Sequence, residues 1–199
     1  MSFRKEKKYR LTYSDMAKVE SHLLTKGMKK IYPSRTIKSL YFDNSNLDMY
    51  HDSEEGVLPR KKIRIRWYNE SNKFIKETKI SSIEGRFKFT LVEGNIETLK
   101  SLLRVRIFDI IYGSLSPVLI VEYVRYYYEI EKLRITLDRH ITYRKPRIHS
   151  RQEISDSECV MEVKVPIECD DDYIERLIPH PVARFSKYSR GLFSLEKKL

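Results

Sequence analysis

Cysteine is scarce: only Cys159 and Cys169 occur in 199 residues. Neither a Cys-x-x-Cys pair nor a Cys/His zinc spacing can be drawn from them, so a disulfide framework and a zinc module are excluded. Free thiols in a reducing cytosol are the expectation. No run of the type Gly-x-x-x-x-Gly-Lys exists, which excludes a P-loop. No RNP-like aromatic motif supports a standard nucleic-acid module, so nucleic acid is not an expected partner. No apolar stretch approaches the roughly 20 residues a membrane-spanning helix needs. The longest candidate, 105–112, is interrupted by Arg106 and Asp109. The basic N-terminus runs into no apolar segment, so neither a signal peptide nor a membrane span is expected, and a cytoplasmic location is. Glycine and proline nowhere concentrate into a linker, and no long-period repeat divides the chain, so residues 1–199 are expected to form a single domain.

Cations are abundant. Lys and Arg number 39 against 28 Asp and Glu, a net charge of +11. Such an excess predicts an anionic partner, whether nucleic acid, anionic lipid or phosphorylated small molecules, without choosing among them. A hydrophobic fraction of 41% with 12% aromatics predicts a folded globule.

The segment Lys62-Ile63-Arg64-Ile65-Arg66-Trp67 shows where the cations go. On a strand, side chains alternate faces, so Lys62, Arg64 and Arg66 share one side and Ile63, Ile65 and Trp67 the other. A row of like charges is either well solvated or holds a polyanion. Similar alternation occurs elsewhere. Glu-x-Lys recurs at Glu6/Lys8, Glu77/Lys79 and Glu162/Lys164, the last with Met161, Val163 and Val165 on the opposite face. Arg134, Thr136 and Asp138 alternate with Leu133, Ile135 and Leu137, whereas Tyr123, Arg125 and Tyr127 alternate imperfectly with their neighbours. Any single Glu-x-Lys is an ordinary surface ion pair; its recurrence on strand after strand is what calls for an explanation. Periodicity leaves open whether these faces point inward or outward.

Strands are expected over 3–13, 38–43, 61–68, 74–80, 86–91, 118–130, 133–143 and 160–166. A helix capped by Ser14 carries Met16, Val19, Leu23 and Leu24 to Gly27. A second, capped by Asn95 and reaching Tyr112, would bury Ile96, Leu99, Leu103, Ile107 and Ile110. Asp170-Asp171-Asp172 reads as the cap of a short helix over 173–178, and a last helix covers 185–197. Many alternating strands with few helices predict a mainly β (α+β) fold class, an antiparallel barrel or sandwich with helical additions. His51, His140, His149 and His180 are scattered and read as surface or packing residues. Tyr126-Tyr127-Tyr128 could stack bases, but aromatics on both faces of a strand more often mean packing.

Taken in order, Glu6-x-Lys8-Tyr9, 62–68, Glu77-x-Lys79, Tyr123-x-Arg125, Arg134-Ile135-Thr136-Leu137-Asp138, Glu162-Val163-Lys164 and Ser186-Lys187-Tyr188 resemble the catalytic domain of the vacuolar transporter chaperone (VTC) family, over nearly the whole chain. Tyr41-Phe42-Asp43-Asn44 and Tyr50 fit the same pattern. The resemblance implies a triphosphate tunnel metalloenzyme, a closed antiparallel β-barrel with flanking helices whose channel is lined by basic and acidic residues. It implies a polyphosphate polymerase that moves the γ-phosphoryl group of ATP onto polyphosphate or pyrophosphate. The implied catalytic residues are Lys8, Arg64, Arg66, Lys79, Arg125 and Glu162. Substrate binding falls to Tyr123, Lys62, Arg134, Lys164 and Lys187, and Glu162 and Glu6 hold Mn²⁺ or Mg²⁺. Arg86 and Lys88 are secondary candidates. The related triphosphatase and cyclase branch begins Glu-x-Glu-x-Lys; here Arg4 occupies the first position, which favours the VTC branch. The alternatives are a triphosphate hydrolase and a non-catalytic polyphosphate-binding module.

Overall fold

Alternating charged and apolar residues commit most of this chain to strands. The computed structural model describes residues 4–69, 71, 73–93, 96, 98–147 and 152–197. Its strands are β1 (Arg4–Thr12), β2 (Lys29–Asp43), β3 (Arg60–Tyr68), β4 (Phe74–Ser82), β5 (Gly85–Glu93), β6 (Ile107–Asp109), β7 (Gly113–Ile130), β8 (Leu133–Arg144), β9 (Glu153–Ser155) and β10 (Glu158–Pro166). The helices are α1 (Tyr13–Thr25), α2 (Asp48–Glu55), α3 (Leu99–Arg104), α4 (Asp171–Leu177) and α5 (Lys187–Glu196). The strands hydrogen-bond in the order β1-β10-β8-β7-β2-β3-β4-β5, with β6 on β7 and β9 on β8. The fold is therefore mainly β, an antiparallel sheet with a few helices.

The expected closure into a barrel is not made by this ladder. Its ends are β1 and β5, and among the described residues no register joins them. Alternation identifies strands, but it says nothing about whether the first meets the last.

Two compact units emerge: Met1–Thr36, Tyr123–Ile141 and Ser155–Phe185 form the first, and Ile37–Glu122, Thr142–Ile154 and Ser186–Leu199 the second. In the first, α1 lays Met16, Val19 and Leu23 on Tyr9 and Leu11 of β1, Ile135 and Leu137 of β8, and Met161, Val163 and Val165 of β10. Burial of each such aliphatic side chain stabilises by about 1.5–3 kcal/mol. The N-cap of α1 is Thr12 rather than the expected Ser14. Thr12 Oγ1 accepts from the Asp15 N–H and donates to the Asp15 carboxylate, a reciprocal pair that Ser14 does not make. Asp170 caps α4, as the acidic run predicts.

In the second unit, Leu40 and Phe42 of β2 and Ile63, Ile65 and Trp67 of β3 face Leu102, Leu115 and Ile120. The helix expected over 95–112 is instead α3, capped by Thr98 in a reciprocal box with Ser101, followed by the short strand β6. β-branched Val105 and Ile107 disfavour helix and suit pairing, and Ile107 lies opposite Leu115. Ile96 and Ile107 are buried as expected, but Ile110 is exposed. The proposed cap Asn95 and His149 lie outside the described residues. The segment after Asp43, for which the sequence predicts no element, contains α2, whose first turn is anchored by Asp43 itself.

Candidate functional site

In the second unit, β2 to β5 each turn a polar row to the same side. Register sets Ser39 beside Arg66, Tyr41 beside Arg64, Arg64 beside Glu77, and Lys62 beside Lys79, which in turn faces Lys88. Arg64 and Arg66 are buried, and Glu77 is the buried carboxylate among them. It accepts from Arg64 Nε at 2.6 Å and pairs with Lys88 Nζ at 2.6 Å and Arg66 at 3.8 Å. Burial alone would raise the Glu77 carboxyl. The charges of Arg64 and Arg66, with hydrogen bonds from Lys88 and Arg64, override burial and hold its pKa down to about 2.

Lys62, Lys79 and Lys88 stand directly opposite one another on three adjacent strands. Directly opposed like charges destabilise a sheet. Ammonium groups about 5 Å apart repel by roughly 3 kcal/mol at an effective dielectric near 20, and by under about 1 kcal/mol in water. Lys79 and Lys88 are solvated enough to sit near the lower limit. The row is tolerable empty and favourable around an anion.

The first turn of α5 joins this row. Ser186 caps α5 and accepts from Lys62 Nζ at 3.0 Å. Tyr188 stacks on Tyr41, with ring centroids 5.0 Å apart, and its hydroxyl donates to Asp43. Asp43 is fully buried and also accepts from the N–H groups of Asn44, Met49 and Tyr50. Burial raises the Asp43 carboxyl, and the four hydrogen bonds counter it in part. Burial and the Asp43 charge push the Tyr188 hydroxyl far up, so it stays a donor. Lys187 opens α5 beside these groups. Burial would raise the Tyr41 hydroxyl, but Arg64, Arg66 and, more weakly, Lys187 bring it down.

In the first unit, β1, β10, β8 and β7 present a second mixed row. Lys8 lies opposite Glu162 and Glu6 opposite Lys164, and Lys164 also faces Arg134. Lys8 Nζ sits 3.3 Å from Glu6 and 3.5 Å from Glu162, and donates to the Phe185 carbonyl at 3.5 Å. Arg125 grips Asp138 with Nε at 2.5 Å and Nη2 at 2.7 Å, and reaches Glu162 at 3.5 Å. Its guanidinium lies 5.4 Å from the Tyr123 ring centroid. Burial would lower the Arg125 pKa, but Tyr123, Asp138 and Glu162 hold it well above the usual value. Arg134 and Lys164 are exposed at the edge of this row.

Glu6 and Glu162 are diagonal neighbours on one face and share Lys8. Carboxylate oxygens are the hard donors that Mg²⁺ and Mn²⁺ prefer. Thr136 Oγ1, across the ladder from Glu162, is buried without a hydrogen-bond partner. This donor set fits a divalent ion that takes its remaining ligands from phosphate and water. Among the described residues no three His, Cys, Asp or Glu side chains group to hold a metal unaided.

The sequence-predicted residues thus divide between two rows. Lys62, Arg64, Arg66, Lys79 and Lys187 belong to the second unit; Glu6, Lys8, Tyr123, Arg125, Arg134, Glu162 and Lys164 belong to the first. Register also brings Lys88 onto the polar side, since it faces Lys79. Sequence reasoning did not assign Asp138 as the clamp on Arg125 or Glu77 as the internal counter-ion of Arg64. It also missed the Asp43–Tyr188 bond. Asp138 was legible as the third polar residue of an alternating run, but its partner is non-local.

A family model described as the VTC domain matches residues 3–196. None of the curated proteins is similar enough in sequence to count as a relative. Among solved structures, the fold is shared with a putative adenylate cyclase from Bacillus halodurans, at a TM-score of 0.59 and 13% identity, covering 93% of this chain and 94% of that one. A putative adenylyl cyclase from Hippeastrum, described as having a dominant triphosphatase activity, matches at a TM-score of 0.57 and 16% identity, over 96% of each chain. A protein of Pyrococcus horikoshii OT3 matches at 0.55 and 12% identity, over 94% and 98%. At such identities these neighbours speak to the fold alone; the family match spans almost every strand that carries a charged row, and by it the chain belongs to the VTC domain family.

Proposed function

We propose that this chain is a polyphosphate polymerase, acting as a single domain over residues 1–199 in the cytoplasm. It would transfer the γ-phosphoryl group of ATP to the end of a polyphosphate or pyrophosphate acceptor. The observation that carries this reading is the line Lys62–Lys79–Lys88 across three adjacent strands, next to buried Arg64 and Arg66. Cations so placed gain most from an anion that extends across several strands, which a phosphate chain does. The closed tunnel that the resemblance implies is part of the same proposal.

Phosphoryl transfer needs positioning and charge neutralisation more than a side-chain nucleophile. A terminal oxygen of the acceptor attacks the γ-phosphorus, the bond to the β,γ-bridging oxygen breaks, and ADP leaves with that oxygen and its electron pair. Arg64, Arg66 and Lys79 would hold phosphate oxygens in the second unit, with Lys62 and Lys187 beside them. Lys8 and Arg125 would do so in the first, with Tyr123, Arg134 and Lys164 beside them. Glu162 and Glu6 would hold Mn²⁺ or Mg²⁺, which supplies neutralising charge to the phosphates. Glu77 occupies Arg64 until a phosphate oxygen competes for it.

The alternative is hydrolysis of the same triphosphate with water as acceptor, the activity described for the Hippeastrum neighbour. Purified protein given γ-labelled ATP, pyrophosphate and Mn²⁺ should release ADP and a labelled ladder on a gel that an exopolyphosphatase removes. Labelled free phosphate without a ladder would replace the polymerase reading with hydrolysis. Tight polyphosphate binding with neither product would replace it with a binding module.

A further inference from the structure

The tyrosine run at 126–128 splits between two tasks. Tyr126 and Tyr128 turn to the core side, where Tyr128 donates to Glu20 of α1 and Arg139 lies over the Tyr126 ring. Tyr127 has the opposite facing and shares the row of Tyr123 and Arg125. Tyr32 of β2 meets Tyr127 edge to face, with centroids 6.0 Å apart. Arg35 lies 5.7 Å from the centroid of the same ring. Tyr32 keeps 54% of its surface exposed, so its ring can still take a stacking partner. Lys29, Lys30 and Arg35 are exposed on the same stretch of β2.

We propose that Tyr32, Tyr127 and Arg35 form the base-stacking subsite for the donor nucleotide. The inference rests on Arg125 being a phosphate ligand, as the proposed function has it. Two residues along a strand span about 6–7 Å, a separation that a ribose bridges. A nucleotide with its phosphates at Arg125 therefore brings its base to Tyr127. Aromatic rings and a guanidinium plane bind the π-face of any base and read none of its edges. The subsite separates a nucleoside triphosphate from inorganic tripolyphosphate, and it does not separate adenine from guanine. It also gives the donor a direction, with the base toward the Tyr127 end of β7 and the phosphates toward Tyr123.

The test is calorimetric titration of the full chain with a β,γ-imido analogue of ATP, the corresponding GTP analogue and inorganic tripolyphosphate. The wild-type protein, Tyr32→Ser and the double variant Tyr32→Ser/Tyr127→Leu are compared. The wild type should bind both nucleotides alike and more tightly than tripolyphosphate. Tyr32→Ser, at an exposed position, should weaken nucleotide binding, and the double variant should weaken it by about tenfold or more. Tripolyphosphate affinity and melting temperature should stay unchanged in Tyr32→Ser. Equal affinity of the wild type for nucleotide and tripolyphosphate would overturn the stacking subsite while leaving the phosphate site intact. So would an equal loss for both ligands in Tyr32→Ser. Failure to bind tripolyphosphate at all would overturn the phosphate site and the subsite together.

Discussion

Glu77 carries the most chemical information of any single residue. A buried carboxylate held by two arginines and a lysine is an internal substitute for an anion. Its pKa falls from an ordinary 4.5 to about 2, so the folded state prefers the ionised form. The stabilisation is complete above the unfolded value and is lost as pH falls from about 4.5 toward 2, on the order of 3 kcal/mol in all. Glu77→Gln should therefore melt earlier at neutral pH and flatten stability across that acid window, as calorimetry at stepped pH would show. Added tripolyphosphate should raise the melting temperature of Glu77→Gln more than that of the wild type, because its arginines lack their carboxylate. An unchanged acid limb would remove Glu77 from this role. The motif Glu77-x-Lys79 was visible in the sequence, but its use was not, since the partners Arg64 and Lys88 lie on neighbouring strands at separations that only register defines.

Among the elements, α5 matters most to the site, and Asp43 and Gly191 seat it. Asp43 joins the end of β2, the first turn of α2 and Tyr188 of α5. Asp43→Ala would leave two helix N–H groups and a phenol without their buried acceptor, so a loss of about 3 kcal/mol or more is expected in denaturant titration. Tyr188→Phe leaves the helix N–H groups paired and should cost only about 1–2 kcal/mol. Equal losses would mean that the carboxylate does not act as the shared acceptor. Gly191 lets α5 approach closely: a Cβ there would stand 2.6 Å from Tyr143 Cδ1 and 2.7 Å from Leu119 Cδ2. Gly191→Ala should destabilise by about 1–3 kcal/mol through overpacking. Elements with a clean period were legible from sequence, as in β3 and β10. The stretch after Asn95 misled because its apolar spacing suits a helix, while its β-branched residues and the pairing with Leu115 select a strand. α2 was illegible because a short polar helix has no stripe; its anchor is the buried Asp43, outside the helix.

For the whole molecule, net charge and strand alternation make the charged strand faces legible in the sequence itself. An excess of 11 positive charges favours an anionic partner, and the alternation places many of those charges on strand faces opposite the cores. Periodicity could not say which strands are neighbours, and so could not reveal that Lys62, Lys79 and Lys88 form one line or that Arg125 is clamped by Asp138. Nor could it say whether the ladder closes; β1 and β5 end it. Phosphate recognition by these rows is the claim on which the proposed reaction depends. The most direct measurement is a crystal structure of the full chain with tripolyphosphate and Mn²⁺. Phosphorus density within hydrogen-bonding reach of Arg64, Arg66 and Lys79, with Glu77 displaced from Arg64, is the predicted result. Tripolyphosphate bound elsewhere, with the Arg64–Glu77 pair intact, would contradict it.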